Sequence, residues 1–503
     1  MSSSPPGETE PSFGRKAANS AVFLGVTQVV RLVLTVLSTV VISRLLSPDD
    51  YGVMAMAAPV VGFIVLFQDL GLGSATIQAR TMSPGQSNGL FWINMAASAA
   101  IFFALLLCAP LAAWFYGDVR AGYVTAASAV GVLLSGTALQ HSALLNRDMR
   151  FGVLSAIDIA NAVVTFLGAL IAAYLLRNYW ALWIGTMAGT LVQVVLTWTV
   201  TPWRPSWKIT LAGTGQMARF GGNLTGFNVL NYIGRNADNV LIAKFAGSIA
   251  LGLYDRSFKL MMLPLQTING PLGRLMLPIL SRLRDEPERY RRSFLLSVRA
   301  ILLVATPGIT VAVATSDRLM IFLLGDTWAA AGPIFFWLGL ASLLQPVSNA
   351  TGWLFISSGR GREMLRWGVV STATTLIAIA IGLRWGVEGV ATSLFIVLLL
   401  RTPLLNAYCV QGTSVRTRDL YLVMLEPGLG AVAAALLVHA IGGMMSTPVL
   451  LCVAMPLAYA LGLLAHLLTK PGRALLATMF EMAAGLVASA MQRVRPRGAP
   501  AQP

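Results

Sequence analysis

Cysteine and histidine are scarce in this chain of 503 residues, which has 3 of each. Cys108, Cys409, Cys452, His141, His439 and His466 stand far apart, with no CxxC, HxxxH or CxxCH spacing among them. That scatter excludes a disulfide framework, a haem attachment and a zinc site, and neither a metal nor a cofactor is expected. Charge is scarce as well. Asp, Glu, Lys and Arg make up 11% of the residues, against 56% hydrophobic, where soluble domains carry about 25% charged residues. The Walker A lysine loop is missing, so ATP is not expected to be the drive.

What fills the chain instead is a succession of apolar runs. They lie near residues 18–46, 53–78, 89–114, 123–145, 153–176, 180–200, 220–246, 253–280, 294–314, 329–356, 365–383, 386–410, 420–441 and 448–468. A span of the bilayer takes roughly 20 apolar residues, so the expected fold is an all-α polytopic membrane protein with about 14 transmembrane helices. The connections leave no room for a large soluble catalytic domain. The first run is too long for a signal-peptide core and lacks a cleavage site, while residues 1–17 ahead of it, rich in Ser, Pro, Gly and Glu, are expected to be a disordered cytoplasmic terminus. Residues 474–491 read as an interfacial helix: crossing would carry Arg493, Arg495 and Arg497 outside, and Glu481 in mid-run disfavours insertion.

The basic excess, 36 Lys and Arg against 20 Asp and Glu, falls mostly in the gaps between apolar runs. It is a topology signal and not a nucleic-acid footprint. One set of connections and tails carries Arg15 and Lys16, Arg80, Arg147 and Arg150, Arg204, Lys208 and Arg219, five arginines in 282–292, Arg360, Arg362 and Arg366, Arg416 and Arg418, and the basic residues from Lys470 onward. The opposite connections hold Arg120, Arg177, Lys244, Arg318 and Arg384. Basic residues resist translocation, so both termini are expected in the cytoplasm, as an even number of spans requires.

Displaced by 200 residues, VVISRLLSPDDYG (40–52) lies over VLIAKFAGSIALG (240–252), with Arg44 on Lys244 and Gly52 on Gly252. A weaker match sets LLNRDMR (144–150) near FISSGRGRE (355–363). A six-helix repeat unit follows. Six is even, so the copies should be related by an axis along the membrane normal, with a cavity expected between two lobes. The expected division is an N-lobe at 18–201, a cytoplasmic linker at 202–219, a C-lobe at 220–412, two added helices in 413–469 and a cytoplasmic tail at 470–503.

Ionisable residues inside spans cost roughly 2.5–3.5 kcal/mol on insertion scales, so they face a wet interior and mark a substrate or ion path. Arg31 sits mid-way along the first span with Thr27, Gln28, Thr35 and Ser38 on one face; Arg235 does so in the seventh, where Asn228, Asn231, Arg235 and Asp238 form a stripe. The simpler alternative is that Arg235 and Asp238 only neutralise each other, or that Arg31 bonds a neighbouring carbonyl. Arg256 and Lys259 begin the eighth span, from which they either line the same path or snorkel to head groups. Gln266 lies further along it, and Arg401 is central in the twelfth. Asp69, Asp158 and Asp238 are the intramembrane acids; Asp158 has Asn161 and Thr165 along its face. Each acid either couples transport to a proton or Na+, or balances an arginine. Gln140, Gln345, Ser348 and Asn349 add polar groups in the fourth and tenth spans. Arginine stays charged when partly desolvated and matches phosphate oxygens bidentately, so cationic, amide-rich walls point to an anionic head group. Asn and Gln suit the hydroxyls of a glycolipid phosphate.

GLYDRSFKLMMLPLQTINGPLGRLMLPILSRLRDE (252–286) and RYRRSF (289–294) resemble the central signature of Wzx-like polysaccharide transporters, as do RLLSPDDYGVMAM (44–56), DLGLGSATIQ (69–78) and LNRDMRF (145–151). The resemblance spans roughly residues 13–412. It implies a member of the multidrug/oligosaccharidyl-lipid/polysaccharide exporter superfamily, with two six-helix lobes and alternating access. The implied cargo is an undecaprenyl-pyrophosphate-linked oligosaccharide, flipped from the cytoplasmic to the periplasmic leaflet of the bacterial inner membrane for capsule, exopolysaccharide or O-antigen. A polysaccharide polymerase and co-polymerase are the implied partners. By helix position, the pyrophosphate-binding role of such relatives falls on Arg31, Arg235 and Arg256, and related lipid II flippases use their last two helices as a groove for the lipid tail. Three alternatives stay open: a multidrug exporter of the same superfamily, against which a cationic path argues; a membrane-embedded polymerase or ligase, which should display acid/base groups on a sizeable outer loop, where this chain has only a short one near 315–328; and a non-transporting scaffold.

Overall fold

The structure, a computed structural model, describes residues 10–68, 73, 76, 77, 82–208, 214–477 and 481; side chains are described from residue 27 onward, except those of 214–231, 233 and 266–271. Among the described residues every regular element is helical. In chain order these are α1 (Glu10–Ser43), α2 (Pro48–Val65), α3 (Pro84–Tyr116), α4 (Val119–Arg147), α5 (Phe151–Leu176), α6 (Trp180–Val200), α7 (Thr214–Arg282), α8 (Pro287–Ala314), α9 (Ser316–Leu324), α10 (Ala331–Ser357), α11 (Gly361–Gly382), α12 (Gly386–Cys409), α13 (Thr417–Gly442) and α14 (Thr447–Leu467). Nine helical stretches among the described residues are long and apolar enough to cross a membrane, one of them, Gly361–Cys409, covering α11 and α12. The chain is a multi-pass membrane protein.

Local chemistry sets where these helices start and stop. Ser47 and Ser83 each cap a helix whose first residue is proline, and each closes a capping box, with Asp50 and Gln86 respectively. Gly117 ends α3 in the left-handed conformation. The long α7 is two helices joined at Gly247, whose φ of 83° and ψ of −177° suit glycine alone. Two boundaries differ from the sequence expectation. α1 begins at Glu10, inside the stretch expected to be disordered, because Pro11 fits a first helical turn and the apolar run lets the helix extend backwards. The connection at 315–328 is not an open loop but the helix α9 followed by a 3-10 turn, Asp326–Trp328. The interfacial helix expected at 474–491 lies mostly outside the described residues.

The chain forms two compact units. The first comprises 1–256 with 323–329 and 383–387, so it runs past the linker expected at 202–219. In it, α3 and α4 pack through Ile101, Leu105, Ala129 and Val132, and α5 lies close against α6 because Gly185 meets the Ala169 backbone and the Thr165 carbonyl. Gly52 and Gly252, the pair that the sequence offset superimposes, also meet: a Cβ on Gly52 would collide with the Ser248 carbonyl, and one on Gly252 with the Pro48 carbonyl. The Trp328 indole is fully buried, donates to the Ser43 carbonyl at 2.9 Å and packs edge-on against Tyr51.

The second unit comprises 257–322, 330–382 and 388–503. Its core gathers Leu280, Phe294, Val298, Ile301, Leu354, Phe355, Cys409 and Val423. The two last helices, α13 and α14, pack on each other where Gly430 faces Gly462, and both pack on α8 through Val311, Ala434, Ala454 and Ala458.

Candidate functional site

Of the residues proposed from sequence, Arg31, Asp158, Arg235, Asp238 and Arg256 belong to the first unit, and Lys259 and Arg401 to the second. Arg31, on α1, reaches across to Asp158 on α5, with Nη1 and Oδ2 3.4 Å apart. Both side chains are about half exposed, at 52% and 44%. A guanidinium that open keeps donors for a second anion. Beside Asp158 lies a cavity of about 280 Å³ whose lining includes Ser142, Asn146, Asp158, Gln193 and Thr197. Asn161 reaches from α5 to α6 and donates to the Gln193 side-chain oxygen at 2.9 Å, while Thr165 donates to Asn161 at 3.3 Å. Gly189 makes this approach possible, since a Cβ there would strike the Thr165 hydroxyl. Gln193 carries no charge and sits in an otherwise apolar run, so its only sequence signal was an isolated amide.

The remaining candidates have other surroundings. Arg235 is exposed and makes no ion pair among the described residues. Asp238 does not neutralise it: its carboxylate accepts from the Tyr254 hydroxyl at 2.9 Å. Arg256 packs over the Tyr51 ring at 4.0 Å and pairs with Asp255 at 3.3 Å, so it is held by its own unit. Lys259 is exposed. Arg401 is taken up by the neighbouring helix, donating to the Ser371 carbonyl at 2.8 Å and to the hydroxyls of Thr374 and Thr375. Asp69 and the side chains of Asn228, Asn231 and Gln266 lie outside the described residues.

Two charged clusters went unnoticed in the sequence. Arg299 on α8 donates to Glu426 on α13 at 3.3 Å, both nearly buried; Glu426 also accepts from Thr469 at 2.7 Å and lies 3.9 Å from the fully buried His466. Arg299 and Glu426 are each the only Lys, Arg, Asp or Glu in their apolar runs, which was the available signal. The second cluster is at the helix ends of the first unit. Arg120 Nη2 bonds Asp118 at 2.7 Å and Asp49 at 3.1 Å, and Ser248 donates to Asp49. The Arg120 guanidinium holds both carboxyls below the usual carboxylate range. In the second unit a cavity of about 410 Å³ brings Asp317, Arg318 and His439 together, with Arg318 donating to the Gly442 carbonyl. Among the described residues no cluster of His, Cys, Asp or Glu could hold a metal ion.

Residues 41–333 match the model of a family described as polysaccharide biosynthesis protein. The chain is similar to the teichuronic acid biosynthesis protein TuaB of Bacillus subtilis (strain 168), 24% identical over 71% of this chain and 74% of the relative. It is also similar to the lipopolysaccharide biosynthesis protein WzxC of Escherichia coli (strain K12), 21% identical over 74% and 76%, and to the succinoglycan biosynthesis transport protein ExoT of Rhizobium meliloti (strain 1021), 24% identical over 68% and 69%. Among solved structures, the inward closed lipid II flippase MurJ shares the fold with a TM-score of 0.71 at 10% identity, over 89% of this chain and 98% of that one. An inward-facing MATE multidrug transporter does so with a TM-score of 0.56 at 13% identity, over 82% and 98%. Of these, ExoT is described as a transport protein, MurJ as a flippase and the MATE protein as a transporter.

Proposed function

The chain belongs to the polysaccharide biosynthesis protein family of membrane transporters, and on that premise we propose that it flips an undecaprenyl-pyrophosphate-linked oligosaccharide repeat unit across the bacterial inner membrane. The observation that carries this reading is Arg31: a permanently charged, half-exposed guanidinium inside an apolar helix, tethered to Asp158 but not enclosed by it. A pyrophosphate offers such a group two more oxygens and a bidentate geometry. Arg235, exposed and unpaired among the described residues, is the second cation of the head-group path. Arg256 and Arg401 are already engaged, and serve to hold helices in place while the cargo passes.

The cycle needs no covalent chemistry. The head group enters from the cytoplasmic leaflet, displaces part of the Asp158 contact with Arg31, and leaves to the periplasmic leaflet when alternating access reverses the opening. Asp158, once released from Arg31, has its carboxylate oxygens free to accept hydrogen bonds from the cargo. A multidrug exporter would require the reverse electrostatics, since a cationic drug gains nothing from Arg31 or Arg235.

The test is complementation of a deletion strain. Arg31→Ala and Arg235→Ala should each abolish export of the glycan while the protein stays in the membrane at normal abundance. Normal export by both variants would end the head-group reading.

A further inference from the structure

From the cavity beside Asp158, we infer that this chain has a subsite for the sugar ring bonded directly to the phosphate of its cargo, built from Asn146, Asp158, Gln193 and Thr197. The inference rests on the head-group reading of Arg31 and adds to it the place where the glycan itself is recognised.

In a lipid-linked glycan the first sugar is joined to phosphorus through one bridging oxygen, so the subsites for phosphate and for that ring must abut. Asp158 belongs to both places. One carboxylate oxygen meets Arg31 at 3.4 Å, and the residue also lines the 280 Å³ cavity. That volume lies just under the roughly 300–1,000 Å³ of pockets for drug-sized ligands, which suits one ring and not a whole repeat unit.

The lining chemistry matches hydroxyl groups, which both donate and accept. Asn161 donates to the Gln193 oxygen at 2.9 Å, so the Gln193 NH2 is left as a donor. Asn146 donates its own NH2 to the Ser142 carbonyl at 3.3 Å, leaving its oxygen as an acceptor. Thr197 spends its proton on the Gln193 carbonyl at 2.5 Å and likewise remains an acceptor. Asp158 supplies the strongest acceptor. A bound Na+ fits less well, because Arg31 already neutralises the one carboxylate and the Gln193 NH2 faces a cation with the wrong polarity.

The test uses the full-length protein in nanodiscs, with saturation-transfer NMR on glucose 1-phosphate, galactose 1-phosphate and N-acetylglucosamine 1-phosphate, and 31P line broadening on these and on inorganic phosphate. At least one sugar 1-phosphate should bind more tightly than inorganic phosphate. Gln193→Ala and Asn146→Ala, each eluting as the parent does on size exclusion, should weaken that ligand about tenfold, as loss of a hydrogen bond to a desolvated hydroxyl does, and leave phosphate binding unchanged. If no sugar 1-phosphate exceeds phosphate, or if both variants bind it as the parent does, the subsite is refuted. It is equally refuted if 23Na+ binds in an Asp158-dependent way and no sugar proton receives saturation. If Arg31→Ala leaves phosphate binding intact while Gln193→Ala still removes sugar preference, the sugar subsite stands and the head-group reading falls.

Discussion

Arg31 and Glu426 are both charged residues inside apolar helices, and their surroundings separate function from stability. The Arg31–Asp158 pair is half exposed on both sides, and open ion pairs contribute about 0–1 kcal/mol. Arg31→Ala should therefore shift the melting temperature of the detergent-purified protein by about 2 °C or less, even though export stops. The Arg299–Glu426 pair is 10% and 5% exposed, and truncating one partner of a buried pair strands the other at a cost of about 3–5 kcal/mol. Glu426→Ala should lower the melting temperature clearly, and Glu426→Gln, which keeps the Thr469 contact, should lower it less. An equal effect of Arg31→Ala and Glu426→Ala on melting would contradict this assignment. Arg31 and Asp158 could be singled out in the sequence because each interrupts an apolar run. Their pairing could not, since 127 residues separate them and only the packing of α1 on α5 brings them together. Gln193 stayed hidden for the same reason: its orientation depends on Asn161, on another helix.

At the scale of elements, the apolar runs located the helices because burial in lipid demands both length and hydrophobicity. The break inside α7 was not legible: Gly247 is one of 47 glycines, and nothing local marks it as the one at which a long helix turns through a positive φ. The offset that set Gly52 on Gly252 was legible, yet the contact between them comes from the crossing of α2 with α7. Neither tolerates a Cβ, so Gly52→Ala and Gly252→Ala should each cost about 1–3 kcal/mol through forced backbone shifts, which detergent melts would register; Gly117→Ala, with open space around it, should cost only its backbone strain. The Arg120 cluster at the ends of α2 and α4 has a defined pH signature. Both carboxyls titrate below their ordinary value of 3.8 when folded, so their contribution is complete above that value and is lost as pH falls through the lowered one. The melting difference between the parent and Arg120→Ala should accordingly hold constant from pH 7 to 5 and shrink only below about pH 4. A difference that already fades at pH 6 would mean the carboxyls are not held low.

At the scale of the whole molecule, composition alone was enough for the fold class, because 56% hydrophobic residues leave a chain of this length no soluble alternative. The family was legible in the stretch around 252–286, which lies within the 41–333 that match the family model; the cargo class proposed from the arginines goes beyond that match. The side chains around the Asp158 cavity, where the sugar subsite is proposed, come from α4, α5 and α6 and meet only in the fold. The central claim is that cargo crosses the membrane through this chain. Its most direct test is the leaflet distribution of polyprenyl-pyrophosphate oligosaccharide, read with a periplasm-restricted lectin in a deletion strain with and without the gene restored. Completed repeat units should accumulate on the cytoplasmic side in the deletion strain and reach the periplasm on restoration. Units that reach the periplasm without the gene, and stay there unpolymerised, would contradict the account and favour a polymerase or ligase.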